Sequence, residues 1–160
     1  MSIITKNGDC GMTDLIGERI CKTDCRLELI GPVDEAISLL SIVGAFLSEK
    51  NRHIEEITMC QEALFRFNSQ IAGAKVLDLT KFTEYFEDFV SKNEPEQFRF
   101  SFTSSKIASI VDYTRCVMRR AERCFFKLEV QREDLKMFIN RISDYLYVLS
   151  RTIESEEIKC

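Results

Sequence analysis

SSKIASIVDYTRCVMRRAERCFFKLEV, residues 104–130, is the stretch whose reading decides the fold. Projected at about 100° per residue, Ile107, Ile110, Val117, Met118, Ala121, Cys124, Phe125 and Leu128 fall on one broad arc. Arg115, Arg119, Glu122 and Arg123 gather on a different arc. Such a helix gives one side to a core and keeps the other for something polar. Ser104 or Ser105 is the expected cap, because a serine oxygen accepts from the unbonded N–H groups of a first turn. Three guanidiniums within two turns repel one another, so they require an acidic partner, a bound anion or full solvation. The residues of this helix leave all three open.

The neighbouring segments repeat the helical period. From Glu133 to Glu156, Leu135, Phe138, Ile142, Tyr145 and Leu149 recur by three and four, while Asn140, Asp144, Tyr147 and Arg151 form a separate polar ridge. Thr80 to Ser91 carries Phe82, Tyr85, Phe86 and Phe89, and Pro95 forbids a simple continuation. Arg52 to Ala72 sets Ile57, Leu64, Phe67 and Ile71 against Glu55, Glu56, Glu62 and Arg66, with Gly73 as the stop. A further helix is expected to start at Gly31-Pro32 and end near Lys50, with Asp34 and Glu35 complementing the dipole and Val33, Ile37, Leu40, Val43 and Leu47 forming its stripe.

The first thirty residues have no sustained period and carry Gly8, Asp9, Gly11, Thr13, Gly17 and Asp24 at close intervals, which reads as a loop-like arm. No alternating strand of useful length and no internal repeat is expected. The fold class is therefore all-α, a five-helix bundle with a loop-like N-terminal arm. With 160 residues and 45% hydrophobic content the chain fits a single domain over 1–160, the arm covering 1–30 and the bundle 31–160.

Composition excludes several classes. A net charge of -4 argues against a general nucleic-acid binder, so any anion site must be local. No apolar run approaches the roughly 20 residues that span a bilayer, and MSIITKNGDCGMTD lacks the basic and apolar regions of a signal peptide, so no membrane partner and a cytoplasmic location are expected. Seven cysteines are an odd number without a disulfide-framework spacing, and reduced thiols follow. Cys21 and Cys25 lack a second pair and His53 is the one histidine, so a structural metal is not expected.

In the arm, TKNGDCGMT (residues 5–13) combines glycines that let backbone approach a ligand with hydroxyl, amide and amine donors suited to phosphate oxygens. It is not the GxxxxGK[ST] loop. This arm resembles the opening motif of the PduO-type ATP:corrinoid adenosyltransferases, and three further blocks resemble that family in the same order. Lys22-Thr23-Asp24-Cys25-Arg26 resembles its K-x-D-x-R step, and Gly31-Pro32-Val33-Asp34-Glu35 its G-x-V/T-D-E. Arg115 to Arg123, followed by FINRISDYL (residues 138–146), resembles its paired arginine and NRLSD blocks.

The resemblance implies a homotrimer of five-helix bundles with active sites between subunits. There cob(I)alamin attacks the 5′ carbon of ATP, giving adenosylcobalamin and triphosphate, with Mg2+ carried on the nucleotide rather than by protein side chains. Reduced cobalt is the nucleophile, so a lone histidine is no objection. By resemblance, Thr5, Lys6, Asn7, Gly8, Asp9, Gly11 and Thr13 hold the polyphosphate, with Lys22 adding charge. Arg119, Glu122, Arg123 and Asn140 line the nucleotide side. Asp34, Arg115 and Arg119 form the catalytic set, Asp34 pairing with Arg115 across the subunit boundary, whereas Arg120 stands outside the site.

The chain also departs from the family pattern. The Pro-Gly-Gly turn ahead of the arginine helix is replaced by EQFRFSFTSS (residues 96–105), where Phe98 or Phe100 takes the place of the aromatic that keeps the corrinoid's lower ligand off cobalt. The histidine common three residues before the first arginine is Asp112, and a commonly charged position is Cys10. The resemblance further implies an adenosylcobalamin-dependent enzyme as recipient of the product. The competing expectation is a non-catalytic ATP- or corrinoid-binding sensor or delivery protein on the same fold, and a third is a plain structural bundle whose arginines meet an acidic partner.

Overall fold

The structure, a computed structural model, describes residues 4, 6–48, 53–95 and 101–158. Five helices carry it: α1 (Cys25–Ser48), α2 (Ile54–Ile71), α3 (Thr80–Asn93), α4 (Lys106–Lys127) and α5 (Glu133–Ile158), preceded by a short hairpin of β1 (Met12–Leu15) and β2 (Glu18–Cys21). α1 lies between α2 and α4, α4 packs on α5, and α5 carries α3. The expected all-α five-helix bundle is what forms.

The core is aromatic. Phe67 of α2 stacks on Phe138 of α5 with centroids 5.3 Å apart, and Phe86 of α3 meets Tyr145 of α5 at 4.4 Å. All four are fully buried. The Tyr145 hydroxyl donates to the Glu56 carbonyl at 3.2 Å, so burial leaves its polar end satisfied and pushes its pKa up. Ser105 caps α4 as the sequence predicts, accepting from the Ala108 N–H at 3.0 Å.

Two expectations are overturned in the arm. First, α1 starts at Cys25 rather than at Gly31-Pro32. Asp24 supplies the start: its carboxylate accepts the Arg26 N–H at 2.9 Å and its carbonyl the Leu27 N–H at 3.0 Å. The buried stripe then begins with Leu29 and runs through Val33, Ala36, Leu40, Val43 and Leu47, and this burial outweighs the one helical hydrogen bond that Pro32 forgoes.

Second, the arm is not only loop. Met12 faces Cys21, Thr13 faces Ile20 and Asp14 faces Arg19 in an antiparallel ladder that turns at Ile16-Gly17. The hairpin is fastened to the end of α2, where the Ile16 N–H donates to the Ala72 carbonyl at 2.9 Å. Gly73 permits this: its φ is +99°, and a β-carbon there would lie 2.9 Å from the Ile16 oxygen.

α1 also corrects the reading of apolar runs. Residues 25–47 are long and apolar enough by length and composition alone to cross a bilayer, with a mean hydropathy of 1.6. Part of this stretch, Leu29, Val33, Ala36, Leu40, Val43 and Leu47, supplies the bundle core against α2 and α4, whereas Ile42 and Phe46 stay exposed. Phe138→Ala should lower unfolding free energy by about 3–5 kcal/mol, read from urea denaturation, because the rings of Phe67 and Phe86 would face the void.

Candidate functional site

α4 divides as its wheel predicts. Val111, Val117, Met118, Ala121 and Phe125 are buried, whereas Arg119 and Arg123 are exposed and Arg115 and Glu122 half-buried. Within the protomer each cation has its own contact. Arg119 Nη1 meets Glu122 at 2.7 Å, Arg123 Nη1 donates to the Arg119 carbonyl at 2.9 Å, and Arg115 Nε donates to Asp112 at 2.9 Å. The Asp112 hydrogen bond raises the Arg115 pKa further, so that guanidinium stays charged at every relevant pH. Arg120 pairs with Glu35 of α1, which also accepts from the Tyr113 hydroxyl at 3.3 Å. That contact ties α1 to α4.

The polar ridge of α5 lies beside this face. α4 and α5 are joined by residues 128–132 and run antiparallel, and Arg151 Nη2 stands 3.6 Å from Asp112. Counting back from that contact at equal rise puts Asp144 level with Arg119 and Asn140 level with Arg123. Asn140 and Asp144 are both exposed. At the same end as Arg151, Glu154 accepts from the Ser104 N–H at 2.9 Å, the Ser104 hydroxyl at 2.5 Å and the Ser105 N–H at 3.0 Å. Burial alone would raise the Glu154 pKa, but these bonds outweigh it and hold the carboxyl low. Phe98 and Phe100 lie outside the described residues; Phe102, next along, is 91% exposed.

In the arm, Gly8, Gly11 and Lys22 come together. The Lys22 N–H donates to the Gly11 carbonyl at 2.8 Å, and a β-carbon at Gly8 would approach Lys22 Nζ to 3.0 Å, so the ammonium lies directly over the loop. Lys6 has a φ of +59°, a left-handed conformation that costs a side-chain-bearing residue energy. Arg19 donates to Asp14 at 2.9 Å and to the Asn7 carbonyl, closing the loop over the hairpin. Asn7, Asp9 and Lys6 are exposed, and Thr13 lies opposite buried Ile20, on the hairpin side that faces the bundle. Thr5 is outside the described residues.

Asp34 is exposed on α1 and turned toward α2, where its Oδ1 accepts from Asn68 Nδ2 at 2.7 Å. Its neighbour Glu35 takes the α4-facing direction. Within one protomer, therefore, Asp34 pairs with Asn68 and Arg115 with Asp112, and the hairpin strands pack on each other rather than onto α4. The arm with Asp34 and the α4–α5 face thus stand as two separate clusters within the protomer. Asn68 was missed in the sequence; the signal was a lone amide beside Phe67 on an otherwise apolar arc of α2.

A cavity of about 420 Å³ opens near the start of α1, lined by Asp24, Cys25, Arg26, Ile71, Leu128 and Arg132 among others. Its two arginines already have carboxylates: Arg26 meets Asp24 at 2.9 Å and Glu18 at 2.5 Å, and Arg132 pairs with Asp134. Among the described residues no group of three or more His, Cys, Asp or Glu side chains could hold a metal ion.

Comparison with known proteins is consistent along the chain. Residues 3–153 match the family model described as cobalamin adenosyltransferase. The corrinoid adenosyltransferase of Bacillus subtilis is 31% identical, the alignment covering 97% of this chain and 88% of that protein. The corrinoid adenosyltransferase PduO of Salmonella typhimurium is 29% identical over 98% of this chain, which spans only about half, 51%, of that relative. A solved variant of the PduO-type ATP:corrinoid adenosyltransferase from Lactobacillus reuteri, complexed with cobalamin and ATP, superposes with a TM-score of 0.88 at 28% identity, covering 98% of this chain and 92% of that one.

The Arg26 cluster gives a pH test. Hydrogen bonds from Arg26 hold the Asp24 carboxyl down to about 2. A folded value below the unfolded one means stability that is present above the ordinary carboxylate range and lost as pH falls toward about 2. Arg26→Gln should raise the Asp24 midpoint part of the way toward the ordinary carboxylate value, since the backbone N–H bond at residue 26 remains, read by carboxyl-carbon NMR titration.

Proposed function

Because the chain belongs to the cobalamin adenosyltransferase family, we propose that it transfers the 5′-deoxyadenosyl group of ATP to cob(I)alamin, releasing triphosphate. The observation that carries this reading is the pair of complementary half-sites. A polyphosphate-sized loop with Lys6 and Lys22 sits on one, and a row of guanidiniums with Asn140 at its level sits on the other.

The cobalt(I) substrate supplies the electron pair, the C5′–O bond breaks, and negative charge grows on the departing triphosphate. Thr5, Lys6, Asn7, Gly8, Asp9, Gly11, Thr13 and Lys22 form the polyphosphate cradle, and fixed cations there stabilise the leaving group more than the ground state. Arg119, Glu122, Arg123 and Asn140 hold the nucleoside end. Magnesium rides on the phosphates. Phe98 and Phe100 form the corrinoid end of the site.

The active unit is a homotrimer in which Asp34 of one subunit meets Arg115 of the next, making the catalytic set Asp34, Arg115 and Arg119. Self-association is supported by Ile42 and Phe46, which stand 47% and 46% exposed on α1 about two to three turns beyond Asp34. Arm and bundle act as one domain over residues 1–160. The protein works in the cytoplasm, consistent with free thiols at all six described cysteines, and hands its product to an adenosylcobalamin-dependent enzyme.

Anaerobic incubation with reduced cobalamin, ATP and magnesium should yield the adenosylcobalamin spectrum. Tight ATP binding with no product would replace this reading with that of an ATP- or corrinoid-binding sensor or delivery protein. Arg119→Ala should weaken ATP binding by about ten- to a hundredfold in calorimetry, as expected for a lost charged hydrogen bond. Unchanged affinity would remove α4 from the nucleotide site.

A further inference from the structure

We propose that Asp112 is a positioning residue that presets Arg115 for the neighbouring subunit, with Arg151 holding Asp112 in place. An arginine that must reach across a subunit boundary loses rotamer freedom on doing so, and fixing it beforehand removes that cost from the assembled state. Asp112 takes the Nε at 2.9 Å, while Arg115 Nη2 rests on the Cys116 sulfur at 3.3 Å, a weak acceptor that a carboxylate would displace. The anchored nitrogen thus leaves the terminal fork directed elsewhere.

An aspartate one turn before an arginine is ordinarily a loose surface pair. Here it is not, because α5 closes on it. Arg151 is 17% exposed in its side chain, lies 4.9 Å from the centre of the Tyr147 ring, and stands 3.6 Å from the same Asp112 oxygen. Its Nε and Nη1 are buried with no hydrogen-bond acceptor among the described residues. A guanidinium so placed leans on the carboxylate it has, since losing that charge would leave it uncompensated. Asp112 is therefore held from both helices. Two cations share one carboxylate, and the excess positive charge favours a second carboxylate at the outward end of Arg115. This rests on the proposed role of Asp34 from the neighbouring subunit.

The test uses the full chain with Asp112→Ala, Asp112→Asn, Arg115→Ala and the double Asp112→Ala/Arg115→Ala variant, each checked for an unchanged helical melt. Asp112→Ala should lower kcat roughly tenfold or more, as a misplaced group does, with KM for ATP within about twofold. Asp112→Asn, which still accepts from Nε but gives up the charge that Arg151 leans on, should recover part of the rate, and Asp112→Ala should cost nothing further once Arg115 is alanine. Equal costs in both backgrounds, or no rescue by asparagine, would overturn the inference.

Nitrogen-15 NMR of the Arg115 Nε–H supplies a readout independent of turnover. Its slow exchange should persist in Asp112→Asn and vanish in Asp112→Ala; fast exchange in the unmodified protein would overturn the proposal. If the unmodified protein makes no adenosylated corrinoid, the functional reading fails while this measurement still decides the role of Asp112.

Discussion

The burial of α4 between α1 and α5 is the constraint from which the site follows. Val111, Val117, Met118, Ala121 and Phe125 give up nearly all their exposure, each large apolar side chain contributing about 1.5–3 kcal/mol. Exposed ion pairs such as Arg119–Glu122 contribute ~0–1 kcal/mol. The core therefore sets the rotation of α4, and the arginines stand where that rotation leaves them. Removing one of them should change ligand affinity far more than stability, which is what a functional face requires.

Once rotation is set, position along the helix sorts the arginines by partner. Arg120, one residue past Arg119, turns by about 100° and lands on Glu35, where it fastens α4 to α1. Arg119 and Arg123 remain on the exposed arc beside the α5 ridge. Arg115, a turn earlier, meets Asp112 and through it Arg151. The repulsion among neighbouring guanidiniums is thus relieved in part by Asp112, Glu35 and Glu122 within the protomer, leaving a local positive face on a chain whose net charge is -4.

The helices from Ile54 onward were legible because each buries one face against the same core, so period and burial report the same thing. The arm was not, for two physical reasons. Pro32 is a strong local signal for a helix start, but the Asp24 cap and the buried Leu29 begin the helix earlier, and tertiary burial prevails over one missing hydrogen bond. The hairpin has four-residue strands with a single buried side chain, Ile20, so it offers no alternation to read. It is held in part by the Ile16–Ala72 bond, a long-range contact that local composition does not encode. The arginine cluster was legible as a charged arc. The placement of its partners was not, since adjacent Asp34 and Glu35 point about 100° apart and only the packing of α1 decides that the first meets Asn68 and the second Arg120.

That last detail explains why the half-sites divide as they do. α2 organises one of them: its C-terminal end anchors the hairpin through Ala72 and Gly73, and its Asn68 orients Asp34. α4 and α5 organise the other, through Asp112, Arg151 and the exposed row from Arg119 to Arg123. Each cluster is anchored on core elements, the first by α2 and the second by buried α4 and α5. For chemistry in which the substrate brings its own nucleophile, the protein's contribution is relative placement and fixed charge. Both contributions are set by core elements inside the protomer: α2 fixes the direction of Asp34 and the hairpin, and the burial of α4 fixes where its arginines stand.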